Sequence, residues 1–244
     1  MTNSALSFSN LAYQVGELEI LKSLDLVVPH KSYFAIAGVN GAGKSTLIKL
    51  ALDLIRPTEG SEISIFGQSN QEPNCREQVA YLPEKSEVKR NVTAWHYLEF
   101  IASTYYQKLD RQAVKSLAEK LDFPVDRLGS TVTGFSKGMA QKLGLISCFM
   151  LNRDMIILDE PLSGLDPSAR YHFKQFLREE KTKNRTLFYS THMLADAEEI
   201  CDQFAILHQG KIKYVGTPLA CMQKFDAETL EQAYMACISD DLAQ

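Results

Sequence analysis

Gly38, Val39, Asn40, Gly41, Ala42, Gly43, Lys44 and Ser45 spell G-x-x-x-x-G-K-S, and Thr46 follows. That spacing makes a phosphate-binding loop: the glycines let successive backbone N–H groups turn inward, where a side chain would block the phosphates. Lys44 offers a point charge to the β- and γ-phosphates, and the Ser45 hydroxyl offers an oxygen to Mg²⁺. A second element is Met155-Ile156-Ile157-Leu158-Asp159-Glu160, four apolar residues that deliver two carboxylates to a strand end. Asp159 can hold Mg²⁺, and Glu160 can polarise a water that attacks the γ-phosphate. Alone, such an Asp-Glu pair reads as a solvated turn. With the phosphate loop upstream, it reads as the other half of a nucleotide site. His192 follows Ser190-Thr191 at the end of another apolar run, where a histidine taken alone reads as a satisfied residue near a strand end.

These groups need a scaffold that brings strand ends together. Tyr33 to Ala37 is a short apolar run fit for a buried strand, and Leu47, Leu50/Ala51 and Leu54 recur at helical spacing after the loop. Strand, loop, helix is the order a phosphate loop requires. Short β segments are expected at Leu6 to Phe8, Leu24 to Val28 and Ile63 to Phe66. From Thr93 to Met150 apolar residues recur at helical intervals, including Trp95, Leu98, Phe100/Ile101 and Tyr105, which predicts a helical subdomain over about 85–150. Met155 to Leu158 and Leu187 to Tyr189 are near-continuous apolar runs, as in a parallel sheet covered on both faces. Phe204 to Leu207 and Ile212 to Val215 flank a hairpin signal, and Leu230, Ala233/Tyr234 and Cys237 stripe a last helix, giving a C-terminal hairpin and helix over about 204–240.

The bulk numbers narrow the class. At 244 residues the chain holds one nucleotide-binding unit, and a net charge of -4 leaves no basic footprint for nucleic acid. Five cysteines without a C-x-x-C pair fit neither a zinc site nor a disulfide framework and point to a reducing cytoplasm. No apolar run approaches the roughly 20 residues that span a bilayer, so the chain is expected neither to be exported nor to cross a membrane.

Taken in order, these motifs resemble those of the ATP-binding cassette (ABC) transporter ATPases over nearly the whole chain. The resemblance implies an α/β fold: a P-loop NTPase core with a mostly parallel sheet, an N-terminal antiparallel β subdomain and an inserted helical subdomain, all one domain over residues 1–244. It implies that Tyr13 stacks on adenine, that Glu84 stands at the Q-loop position as a further oxygen for Mg²⁺, and that Phe135-Ser136-Lys137-Gly138-Met139 is the signature. Ser163-Gly164-Leu165-Asp166 then matches the D-loop, and His192, at a strand terminus after Ser190-Thr191, the switch histidine that contacts the γ-phosphate. The signature departs from the commonest L-S-G-G-Q at Lys137 and Met139, and Glu84 replaces the usual Gln, losing an amide donor and adding charge. Its S-K-G-M form is similar to that of exporter-type and ABC-2-type members. The implied ligands are ATP and Mg²⁺. The implied partners are a transmembrane permease subunit and a second ATP-binding subunit in a head-to-tail dimer, each signature completing the other copy's site. Nucleic acid is not expected. The implied location is cytoplasmic, on the inner face of the cell membrane through the permease, with residues 84–106 as the docking groove. A soluble ABC ATPase working as a mechanical switch on ribosomes or DNA is the alternative class; the double cassette or coiled-coil arm common there is missing from this sequence.

Overall fold

A computed structural model describes residues 4–85 and 91–242. Two sheets and a set of helices form layers around two apolar clusters. β1 (Ser4–Val15), β2 (Leu18–Pro29), β4 (Glu62–Ile65) and β5 (Gln68–Ser69) make an antiparallel sheet in the order β2-β1-β4-β5. The second sheet takes β3 (Tyr33–Ala37), β6 (Val79–Leu82), β7 (Met155–Leu158), β8 (Thr186–Thr191), β9 (Gln203–His208) and β10 (Lys211–Gly216) in the order β10-β9-β3-β8-β7-β6. Every pairing in it is parallel except the β9–β10 hairpin.

The central strands show why apolar runs were needed. In β3, Phe34 and Ile36 enter one cluster with α1 (Lys44–Ala51) and the antiparallel sheet, while Tyr33, Ala35 and Ala37 enter the other. β7 divides the same way, with Met155 and Ile157 on one side and Ile156 and Leu158 on the other. A strand covered on both faces has no polar side to alternate with. Each large aliphatic side chain removed from water there contributes about 1.5–3 kcal/mol.

The second cluster is closed by α2 (Ala94–Thr104), α3 (Arg111–Lys120), α4 (Lys137–Phe149), α5 (Pro167–Glu180), α6 (Leu194–Ile200), α7 (Pro218–Lys224) and α8 (Leu230–Leu242). Their starts are written locally. Thr93, Asp110, Ser136, Asp166 and Thr217 each accept a backbone N–H from the first turn of α2, α3, α4, α5 and α7, and Pro167 and Pro218 occupy the first helical positions.

Two differences from the sequence reading have clear causes. The β1–β2 hairpin is far longer than the segments at Leu6 to Phe8 and Leu24 to Val28, because its tip from Gln14 to Glu19 is solvent-exposed and shows no burial alternation. The aromatic residues at helical spacing also divide: Trp95 and Tyr105 pack on the core, as does Tyr97 between them, whereas Phe100 is exposed, as is Tyr106 just beyond.

Candidate functional site

Strand order assembles the site. β3, β8, β7 and β6 lie side by side and parallel, so their C-terminal ends share one edge. Leaving those ends are, respectively, the phosphate loop, His192, Asp159-Glu160 and Glu84. Ligands of open parallel sheets bind at such an edge. A cavity of about 460 Å³ opens there, walled by Asn40, Gly41, Gly43, Lys44, Ser45 and Thr46 of the loop together with Ile20, Glu84, Glu160, Ser163 and His192.

The phosphate loop fits its neighbours tightly. A Cβ on Gly38 would lie 2.3 Å from the Leu207 carbonyl oxygen, so β9 runs against the loop's first residue. Gly43 holds φ at 108°, the left-handed region, and a Cβ there would meet the Leu21 side chain at 2.7 Å. Between them Ala42 is buried in the core and Val39 faces outward. Lys44 is folded back, donating to the Gly38 carbonyl at 2.8 Å and the Val39 carbonyl at 3.3 Å, with Glu160 Oε1 at 3.2 Å.

The carboxylates are locked by a serine that the sequence reading had only as part of a polar strand end. Ser190 Oγ donates to Asp159 Oδ1 at 2.5 Å and accepts the Glu160 N–H at 2.8 Å. Ser45 Oγ donates to the same Asp159 oxygen at 3.1 Å. Burial pushes the Asp159 carboxyl above the usual carboxylate range; the two serine hydroxyls pull it back, and the nearby Glu160 and Glu84 charges add to the rise. A hydroxyl beside a carboxylate that is disfavoured as a free ion suits a hard cation with oxygen ligands, and Mg²⁺ needs only one or two such groups beside phosphates and water. Among the described residues no cluster of three or more His, Cys, Asp or Glu side chains could hold a metal ion.

Glu160 is strained and held between two partners. Its φ is 50°, a left-handed value that costs a side-chain-bearing residue on the order of 1–3 kcal/mol. His192 Nδ1 lies 2.7 Å from Glu160 Oε2, while buried Oε1 makes no hydrogen bond. That oxygen faces the Lys44 ammonium at 3.2 Å, and its second lone pair can accept from a water.

The remaining sequence-derived residues lie elsewhere. Tyr13 is half-buried on β1 against the antiparallel-sheet cluster, and Ile20 rather than Tyr13 walls the cavity. Ser136 is exposed and caps α4 by accepting the Met139 N–H at 3.2 Å, and Lys137 is exposed beside it. Phe135 packs edge-on against Phe123, with Gly138 and Met139 half-buried; none of residues 135–139 walls the cavity. In the stretch 163–166, Ser163 reaches the cavity, Gly164 is exposed, Leu165 is buried, and Asp166 accepts the Ala169 N–H, which holds its carboxyl below the usual range.

Comparison with known proteins agrees with this geometry. The profile of the ABC transporter family matches residues 21–163. An uncharacterized ABC transporter ATP-binding protein of Nostoc sp. is 34% identical over 81% of this chain and 59% of its own length. The chain thus spans under two thirds of that relative. The ABC-type transporter ATP-binding protein EcsA of Bacillus subtilis is 31% identical over 98% of both chains. A solved structure of the ATP binding subunit of an ABC transporter superposes with a TM-score of 0.85 at 32% identity, covering 96% of this chain and 99% of that one.

Proposed function

This chain belongs to the ABC transporter family as an ATP-binding, ATPase-type domain, and we propose that it drives a separate membrane-spanning permease by binding and hydrolysing MgATP. We read residues 1–244 as one such domain, with the helical subdomain over about 85–150 and the C-terminal hairpin and helix over about 204–240. The observation that carries the hydrolytic reading is the Lys44–Glu160–His192 contact set, in which a buried carboxylate bridges the phosphate-loop lysine and His192 at the wall of the cavity.

In this assignment the loop amides and Lys44 hold the phosphates, and Ser45 and Asp159, with Glu84 beyond them, hold Mg²⁺. The ion, when bound, neutralises charge on the β- and γ-phosphate oxygens. Glu160 Oε1 accepts a proton from water as that water attacks the γ-phosphorus, and the bond to the β-γ bridging oxygen breaks to leave ADP and phosphate. His192 holds the Glu160 carboxylate in place and faces the γ-phosphate. Adenine is assigned to the β1–β2 face that carries Ile20 and Tyr13.

Residues 135–139 are assigned to the nucleotide of a second copy, because they are partly exposed at the start of α4 and wall no part of this chain's cavity. Among the described residues no helix is long and apolar enough to cross a membrane, so the transport path is assigned to the permease. The S-K-G-M signature supports export, and the chain is placed on the inner face of the cell membrane through that partner. Docking is assigned to residues 84–106, of which 86–90 lie outside the described residues. Exposed Phe100 and Tyr106, the latter 98% exposed, are the apolar anchors the described part offers.

The test is purification of the tagged chain from its own membranes, with phosphate release measured on the complex and on a Lys44→Ala complex. A co-purifying polytopic membrane protein and turnover lost in the variant are expected. Single cysteines at Asn91 and Ser103 should crosslink to that protein. A chain recovered only with ribosomes or DNA, or turnover untouched by Lys44→Ala, overturns the reading.

A further inference from the structure

Gln141, in α4 and only 8% exposed, donates from Nε2 to the Pro161 carbonyl at 2.9 Å. Pro161 directly follows Glu160, so a helix side chain is fastened to the residue next to the strained carboxylate. Two further contacts extend the seam toward the start of the same helix. A Cβ on Gly138 would lie 3.2 Å from the Gly164 carbonyl oxygen, and the Lys137 methylene stem lies 2.7 to 3.0 Å from where a Cβ on Gly164 would stand. Residues 160–165 are also closed on themselves: the Ser163 N–H donates to the Glu160 carbonyl at 3.0 Å and the Leu165 N–H to the Leu162 carbonyl at 3.3 Å. Braced from outside at Pro161 and Gly164, and from inside by those turns, this segment has no slack with which to absorb a shift of α4. Packed elements of this kind move as units.

We propose that Gln141 is a positioning residue for Glu160: through its bond to Pro161, and with Lys137 and Gly138 seated on Gly164, it makes α4 and residues 160–164 one rigid piece. The inference rests on the ATPase reading above. Its consequence is a coupling route inside a single chain. A phosphate of the partner's nucleotide that seats on the start of α4 sets the position of this chain's own Glu160, which serves the nucleotide in this chain's phosphate loop.

Gln141→Leu keeps size and burial while removing the donor, and Lys137→Ala trims the seam from an exposed position that does not threaten folding. In the permease complex, Gln141→Leu should lower kcat by about 10-fold to 100-fold through a displaced base, with KM for ATP nearly unchanged and the Hill coefficient falling toward one. Lys137→Ala should move both in the same direction by less. In the nucleotide-free chain, amide exchange over residues 160–165 should accelerate about 5-fold to 10-fold in Gln141→Leu, with β3 spared and the melting temperature lowered by only a few degrees. Wild-type kcat and wild-type exchange in both variants overturn the proposal. So does a rise in exchange that is uniform across the chain, β3 included, which marks a merely structural role. A wild-type complex that turns over no ATP sinks the ATPase reading instead, and the exchange measurement still decides whether Gln141 braces the Glu160 segment.

Discussion

Replacing Glu160 by Gln separates the two things this carboxylate does, because one is visible without nucleotide and the other only with it. Lys44 and Glu160 side chains are 6% and 10% exposed and lie 3.2 Å apart. At an effective dielectric near 20 that separation corresponds to an attraction of about 5 kcal/mol. The net loss is smaller, since Glu160 also repels Asp159, whose carboxyl it helps to push up. Two carbonyls, Gly38 and Val39, remain on the Lys44 ammonium. Removing one member of a buried pair costs up to about 3–5 kcal/mol, and with this relief about 1–3 kcal/mol is expected. For a chain of 244 residues that is a drop of about 2 to 12 °C in melting temperature. MgATP should erase most of the gap, because the polyphosphate supplies the counter-charge that Glu160 supplied in its absence. Turnover should fall about 10²-fold to 10⁴-fold, the scale of a lost general base. Calorimetry with and without MgATP, together with phosphate release from the complex, reads both. A variant that melts like the wild type without nucleotide refutes the Lys44–Glu160 pairing, and one that turns over normally refutes the role of Glu160 as base.

Asp159→Asn should act in the opposite sense on the nucleotide-free chain. A folded-state pKa raised above the ordinary 3.8 means that the stabilising, protonated form is complete below that value and is lost as pH rises through the folded value. Above the folded value the ionised, buried Asp159 is therefore a burden. The Asn variant should melt higher than wild type above that value, lose the advantage as pH falls through it, and bind ATP without a response to Mg²⁺; an Asn variant less stable at every pH would refute the assignment of burial as the main cause. Gly38→Ala should cost about 1–3 kcal/mol, as overpacking does, because its methyl would meet the Leu207 carbonyl at 2.3 Å and push the phosphate loop from β9. Melting curves and ATP titration check it, and unchanged values in both would mean the loop and β9 are free to part.

The local pieces of this site are legible in one dimension. The phosphate loop depends on fixed spacing within ten residues, and the Asp159-Glu160 pair on an apolar run that ends in two carboxylates, so both can be read where they stand. The near-continuous apolar runs of β3, β7 and β8 likewise declare a sheet covered on both faces. What no run of residues states is adjacency. Ser45 and Asp159 are 114 residues apart, and they meet only because β8 inserts between β3 and β7 and fixes the spacing of their ends. Ser190, whose hydroxyl ties Asp159 to the Glu160 backbone, carries no spacing signal of its own; its role exists only once β8 lies beside β7. The same holds for the aromatic residues of α2, which one periodicity groups together and which packing divides into half-buried Trp95, seated on the core, and exposed Phe100. Short-range geometry is set by covalent spacing and backbone preference, which sequence records directly. Long-range geometry is set by which strands pair and which faces bury, and those are properties of the whole chain folded on itself.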